Sequence, residues 1–233
     1  RGKLTHGIYE DTGEAAIRGS DKDWVELQYR NGKSKASLDN LDAEAGTPIR
    51  VNGYIYDVLS KLRSNGDDFI PSAPKMKTDV VARSKHDSFM RAMNTARGLR
   101  DQKFYNGMSN DKYGRTYSNA SALQWQGDDF NRGLMLFDTS VELGKDGLEH
   151  YKQAFMNIAG FDKIPLRERN RLYDLIDDEL ILKTAADPFG NDWWRTKSNW
   201  IETGVFKNLR GVDVKYKVPK GEGGTMRVLD EIK

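Results

Sequence analysis

The chain predicts an α+β fold that is mostly helical. Apolar residues recur at helical spacing near 50–63, 79–100, 145–158 and 165–185. Apolar and polar residues alternate with period two at 25–29 and 212–218, the pattern of half-buried strands. Asn31-Gly32 follows the first alternating run and supplies the positive φ values that a tight hairpin needs.

Taken in order, residues 1–38 read as short strands and turns. Glu10-Asp11-Thr12-Gly13 separates Gly7-Ile8-Tyr9 from Ala15-Ala16-Ile17, which predicts a hairpin. Val25-Glu26-Leu27-Gln28-Tyr29 is the next strand, and residues 38–48 read as a polar linker with a short acidic patch. From 50 to 63, Val51, Ile55, Val58, Leu59 and Leu62 share one helix face. Residues 64–76 hold Gly, Asp, Ser and Pro, the composition of a loop. A helix over 79–100 follows, with Phe89, Met93 and Ala96 as its apolar stripe and Arg83, Lys85, Arg91, Arg97 and Arg100 around it.

Residues 104–137 read as a β-type element, with Gly107 and Gly114 where the backbone turns or approaches something closely. A helix is expected over 145–158. Another starts at Pro165, a residue suited to a first helical turn, and runs to about 185 on Leu172, Leu175, Ile176, Leu180 and Ile181, where Asp187-Pro188 ends it. Val212, Val214, Tyr216 and Val218 then alternate with charged residues, and Met226-Arg227-Val228-Leu229 returns after a turn to make a terminal hairpin.

The composition excludes several classes. The 233 residues are enough for one large domain or two small ones. With no cysteine, disulfides and thiolate zinc sites are excluded. No apolar run approaches the roughly 18–20 residues of a membrane span, and no secretory segment is present. Lys and Arg number 37 against 35 Asp and Glu, so only local clusters of cations can argue for nucleic acid. At 31% charged and 37% hydrophobic, the chain is polar and suits a subunit whose surface is given to partners. It opens on Arg1, so its native start is expected upstream.

The run Asp111-Lys112-Tyr113-Gly114-Arg115-Thr116-Tyr117 contains a D-x-x-G-R signature. Phe89-Met90-Arg91-Ala92-Met93-Asn94-Thr95-Ala96 and Asp101-Gln102-Lys103-Phe104-Tyr105-Asn106 precede it. Gln126-Gly127-Asp128-Asp129-Phe130-Asn131-Arg132-Gly133-Leu134, Gly144-Lys145-Asp146-Gly147, Ala159-Gly160-Phe161-Asp162-Lys163-Ile164-Pro165, Asp187-Pro188 and Trp193-Trp194 follow. In this order and spacing the blocks resemble the single-subunit DNA-directed RNA polymerases of phages and mitochondria. The likeness covers residues 79–200 well and 47–63 loosely, and leaves 1–46 and 201–233 outside. It is nearest to the small N-terminal subunit of the heterodimeric RNA polymerase of some podoviruses, the N-four-like phages. Two departures stand out: Lys112-Tyr113 occupies the place of Trp-Arg in phage relatives, and the segment between Leu62 and Asp79 is short for a helical thumb.

The resemblance implies the N-terminal portion of a right-hand polymerase of palm, thumb and fingers, split before the metal-binding palm strands. It divides the chain into an N-terminal portion with β-hairpins (1–63), a reduced thumb or connector with a basic helix (64–103), a first palm segment with the signature (104–137), a helical palm insertion (138–200) and a C-terminal β-hairpin arm (201–233). No catalytic residue is expected in this chain. A larger subunit would supply the metal aspartates with their magnesium ions and the nucleotide site, and the chain alone would be inactive. This chain would hold DNA template and RNA–DNA hybrid through Arg115, Asp111, Gly114, Tyr117, Lys112, Arg132, Arg91 and Arg97. Arg115 offers a planar fork of donors, Gly114 lets the backbone come close, Asp111 orients the guanidinium or its loop, and Tyr117 offers a ring and a hydroxyl. A phage accessory or single-strand DNA-binding protein is a further expected partner, and the cytoplasm of an infected bacterium the expected location. The rival reading is a non-catalytic phage nucleic-acid-binding protein on the same scaffold.

Other groups read as structural. His6, His86 and His150 lack ligand spacing, and the neighbouring carboxylates Asp128-Asp129 and Asp177-Asp178 read as solvated faces. Trp193-Trp194 reads as core or interface rather than as a stacking platform.

Overall fold

The computed structural model describes residues 4–5, 8–10, 35–76, 78–110, 115–174, 176, 178–191, 193–195, 205–207 and 213–215. About half of these are helical and the rest are short strands and connections. The chain forms two compact units, residues 1–140 and 141–233.

In the first unit, β1 (Leu4–Thr5) pairs with β2 (Ile8–Glu10). β2 pairs antiparallel with β4 (Phe104–Asn106), β4 with β3 (Ile49–Val51), and β3 with β7 (Met135–Phe137), giving the order β1-β2-β4-β3-β7. The β3–β7 ladder continues past both strand ends: Asp138 N–H donates to Pro48 C=O and Asn52 N–H to Leu134 C=O, each at 3.0 Å. Asn52 then caps α2 (Gly53–Ser64), its side chain accepting from Ile55 N–H at 3.2 Å. Ile55, Val58, Leu59 and Leu62 are buried as their spacing predicts. Val51 departs from that expectation, because the helix starts only after the Asn52 cap and Val51 pairs with Met135 in the sheet.

Residues 65–76 carry no helix or strand, as their composition predicts, and Gly66 leaves α2 at φ +66°, where only glycine is unstrained. Asp79 caps α3 (Val80–Leu99) by accepting from Ala82 N–H at 2.9 Å. The helix buries Phe89, Ala92, Met93, Ala96 and Leu99, the expected stripe and its flanks.

One expectation is overturned in this unit. Residues 38–48 are not a linker: Lys35–Ala45 is a helix, α1. Leu41 and Ala45, four residues apart, are buried against Met108. Among the residues whose burial is described, 39–45, only Leu41 and Ala45 are buried, and the acidic residues set between them obscure the stripe in the sequence. Tertiary contact decides the conformation here, not propensity.

In the second unit α5 (Gly147–Ile158) and α6 (Leu166–Tyr173) pack through Phe155 and Tyr173, whose rings meet edge to face at 5.3 Å. Between them Gly160 takes φ +93°, and Phe161 N–H reaches back to Met156 C=O at 2.9 Å, a left-handed helix stop. Arg169 braces this turn, donating to Ile164 C=O at 2.9 Å, to Asn157 at 2.5 Å and to Asp162 C=O. The single helix expected over 165–185 is two, α6 and α7 (Asp178–Ala186). α6 stops at Asp174, Ile176 N–H turns back onto Tyr173 C=O at 2.9 Å, and Ile176 is buried in the break. Pro165 sits one place earlier than expected, as the cap of α6.

Beyond α7, Trp194 lies in a short 3₁₀ turn, fully buried, and its indole N–H donates to Pro188 C=O at 2.6 Å. It is a core residue, as the sequence predicts. In the terminal region β9 (Asp213–Lys215) falls inside the predicted strand, but its described partner is β8 (Val205–Lys207), which precedes it. The expected return strand at 226–229 lies outside the described residues, as do the strands at 15–17 and 25–29 and the Asn31-Gly32 turn.

Candidate nucleic-acid interface

The described end of the signature, residues 115–117, runs into the second of two short paired strands. β5 (Met108–Asn110) and β6 (Thr116–Ser118) pair antiparallel, with Ser109 opposite Tyr117. Met108 is the anchor, buried against Leu41 and Ala45 of α1. The helix hidden in the apparent linker is therefore the platform beneath the signature. Asp111, Lys112 and Gly114 lie outside the described residues. Arg115 enters β6 and is exposed, and so is Tyr117 at 42%, while Thr116 and Ser118 between and after them are half-buried. This alternation turns the arginine and the tyrosine outward together.

The block after the hairpin fixes it in place. The Gln126 carboxamide accepts from Ser118 N–H at 3.0 Å and donates to Thr116 C=O at 2.7 Å, gripping β6 at two points. Gly127 allows the chain to pass Asn131, since a Cβ there would meet Asn131 Cβ at 2.7 Å. Asp128 caps α4 (Asp129–Gly133), accepting from the Asn131 backbone N–H at 3.0 Å and from its side-chain amide at 2.7 Å. Phe130 packs edge to face on Phe89 of α3 at 5.1 Å and on Phe69 at 6.0 Å. Ser88 of α3 donates to Asp128 at 3.2 Å.

A second buried device sits behind this block. Leu123 is fully buried and holds φ +51°, a strained value for a branched side chain. Its N–H donates to Asn131 Oδ1 at 2.8 Å and its C=O accepts from Asn106 Nδ2 at 2.9 Å. Asn106 and Asn131 are 2% and 5% exposed, so their amides act in a dry interior. Through them the central strand β4 and α4 hold one distorted residue between the hairpin and Gln126.

The remaining predicted cations are carried on helices around this assembly. Arg91 and Arg97 are exposed on α3, which the Phe89–Phe130 contact and the Ser88–Asp128 bond tie to α4. Arg132 ends α4 half-buried, and its Nε is buried without a hydrogen-bond partner. A phosphate oxygen reaching that nitrogen would gain a charge-assisted bond. Arg97 also lines a groove between α2 and α3. Arg100, at the end of α3, bonds Asp57 of α2 at 2.7 Å and lies over the Tyr56 ring at 5.0 Å, and the Asp57 bond raises its pKa. Among the described residues, no three acidic, imidazole or thiol side chains converge as a metal site would require.

Gln126, Asn131, Asn106 and Leu123 escape a reading that looks for cations. The signal available was the polar residue at 131 inside a segment that closes on Gly133-Leu134. A buried amide in such a place usually serves the backbone.

No family model matches the chain. It is 39% identical over 175 residues to the mitochondrial DNA-directed RNA polymerase of Neurospora crassa, covering 71% of this chain and 11% of that protein. It is 27% identical over 204 residues to the mitochondrial DNA-directed RNA polymerase of Schizosaccharomyces pombe, covering 74% of this chain and 17% of that one. To the DNA-directed RNA polymerase of Enterobacteria phage K11 it is 36% identical over 84 residues, 36% of this chain and 9% of the phage protein. The chain is thus homologous to segments of phage and mitochondrial RNA polymerases, and spans roughly a tenth to a sixth of their length.

Proposed function

We propose that this chain holds DNA template and RNA–DNA hybrid as one part of a DNA-directed RNA polymerase. In this reading a larger partner subunit supplies the aspartates, their magnesium ions and the nucleotide site. The observation that carries it is the signature hairpin, seated on α1 through Met108 and gripped by Gln126, with Arg115 and Tyr117 turned outward. A polymerase of this kind needs little covalent chemistry from such a part. It needs donors aimed at phosphates and sugars, which fix register without reading sequence, and a rigid support that keeps them aimed. Arg115 supplies the fork, Tyr117 a ring and hydroxyl, and Arg91, Arg97 and Arg132 further cations; Asp111, Lys112 and Gly114 of the signature are proposed to act with them. The proposed place of action is the cytoplasm of an infected bacterium, with the mitochondrion as the rival that the fungal relatives raise.

The test is reconstitution. The chain is expected to incorporate no nucleotide alone on a primed hybrid with magnesium, and to support synthesis once combined with the larger chain that co-purifies with it. In the reconstituted enzyme Arg115→Ala should weaken hybrid binding by roughly tenfold to a hundredfold, the loss of one charge-assisted bond of about 1.5–3 kcal/mol. It should lower the salt slope of binding by a little under one unit, as about 0.9 per phosphate predicts for a duplex. Arg115→Lys should recover part of the affinity. Unchanged hybrid affinity and salt slope in Arg115→Ala, with weakened association of the subunits instead, would make Arg115 a structural ion-pair residue and remove it from the site.

A further inference from the structure

The α2–α3 groove has a volume of about 340 Å³, at the small end of ligand pockets, which run from roughly 300 to 1,000 Å³. Its lining is divided by chemistry. Met93, buried, and the half-buried ring of Tyr56 give it an apolar floor. Ser60 and Asn94 add a hydroxyl and an amide, and Arg63 and Arg97 bring two guanidiniums from different helices to one opening. Each arginine stands in the last turn of its helix, where a cation ordinarily complements the helix dipole. That role explains either arginine alone. It does not explain why both open on the same groove over an aromatic floor.

The groove itself carries cations and no acid among its described lining residues. Asp57, the closest acid along α2, is engaged by Arg100 at 2.7 Å. The same Arg100 covers a face of Tyr56 at 5.0 Å and so holds the ring in place. A small apolar platform beside two guanidinium forks fits a group that is flat at one end and anionic at the other. Stacking on an aromatic side chain combined with cations along the backbone is how single strands are held without sequence preference.

We propose that this groove takes one nucleotide of a single-stranded nucleic acid, its base against Tyr56 and Met93 and its phosphodiester on Arg63 and Arg97. The inference rests on the reading of the chain as a nucleic-acid holder and adds a binding position other than the signature hairpin. A free nucleotide shares the same chemistry, so the test separates the two sources. The full chain is titrated with short fluorescent single-stranded RNA and DNA, and separately with ATP, across a salt series. The double variant R63A/R97A is expected to lower oligonucleotide affinity at least tenfold. It should flatten the salt slope by about 0.7 for each phosphate that is no longer neutralised, the single-strand value. R63K/R97K should recover part of the affinity, and Tyr56→Leu should weaken binding several-fold with the slope unchanged. Photocrosslinking of thiouridine-bearing RNA to Tyr56 or Met93 in the unsubstituted chain is expected as well, and needs no variant to fold. If Arg115→Ala weakens oligonucleotide binding while R63A/R97A does not, the groove proposal is overturned and the polymerase reading stands. Loss of ATP binding alone overturns the assignment to a strand, and failure of the unsubstituted chain to bind any oligonucleotide overturns both.

Discussion

At the scale of single residues, the side chains that hold the candidate interface together are neutral. Asn131 satisfies the buried N–H of Leu123, whose backbone is strained, and bonds the Asp128 cap at the edge of the core. Asn131→Ala leaves a buried donor without a partner and loosens the cap. A buried unsatisfied group costs about 1–3 kcal/mol, and the expected result is a matching loss in urea unfolding with the denaturant slope unchanged. Asn131→Asp keeps the shape but loses the amide donor and faces Asp128 with a second carboxylate, so it should destabilise further as pH rises through the carboxylate range. A cation such as Arg91 should behave oppositely, its removal changing nucleic-acid affinity and leaving stability alone.

At the scale of elements, α1 shows how a short contact face turns a polar stretch into a helix. Asp42 stands in its last turn, close to Asp39, and its carboxyl is pushed up, first by burial and then by the Asp39 charge. The folded chain therefore holds a proton on Asp42 at pH values where the unfolded chain has released it. The penalty on folding is absent below the ordinary aspartate range, grows as pH rises through the raised value, and persists above it. Asp42→Asn removes that penalty together with the unfavourable end of the helix dipole. It should stabilise the chain at neutral pH by about 0.3–1 kcal/mol, and the gain should vanish in acid. Thermal melts across pH check both halves.

The same element marks what a sequence can and cannot disclose. α2, α3 and α5 were legible because each repeats apolar residues at steps of three and four over several turns. α1 was not, because Leu41 and Ala45 meet Met108, more than sixty residues away, and nothing local announces that meeting. The break between α6 and α7 was hidden because both sides keep helical spacing, and only the burial of Ile176 in the turn shows where the chain bends. Of the candidate site, Arg115 and Tyr117 were singled out from the signature, and the structure adds that both are exposed. The grip of Gln126 on β6 was not legible, since it depends on register between segments that are separate in the chain.

At the scale of the whole molecule, the chain divides between residues 140 and 141. The connection from Thr139 to Asp146 is exposed at every residue and has no helix or strand. Lys145 lies within it, so trypsin at limiting concentration should produce a fragment that ends at Lys145, readable by mass. Absence of that cut, with cuts elsewhere, would mean that the connection is protected in the intact protein. Thirty-seven basic residues almost cancel against thirty-five acidic ones, and what matters is where they stand.

Gln126 has one more effect. The outward-facing amide and carbonyl of β6 form the rim of a two-stranded ribbon, the kind of rim onto which any extended peptide can lay itself down. One carboxamide occupies both groups, ending the ribbon with a single side chain where other proteins spend a further strand. The ribbon is thereby closed to self-association along that side, while one face stays covered by α1 and the other leaves Tyr117 exposed.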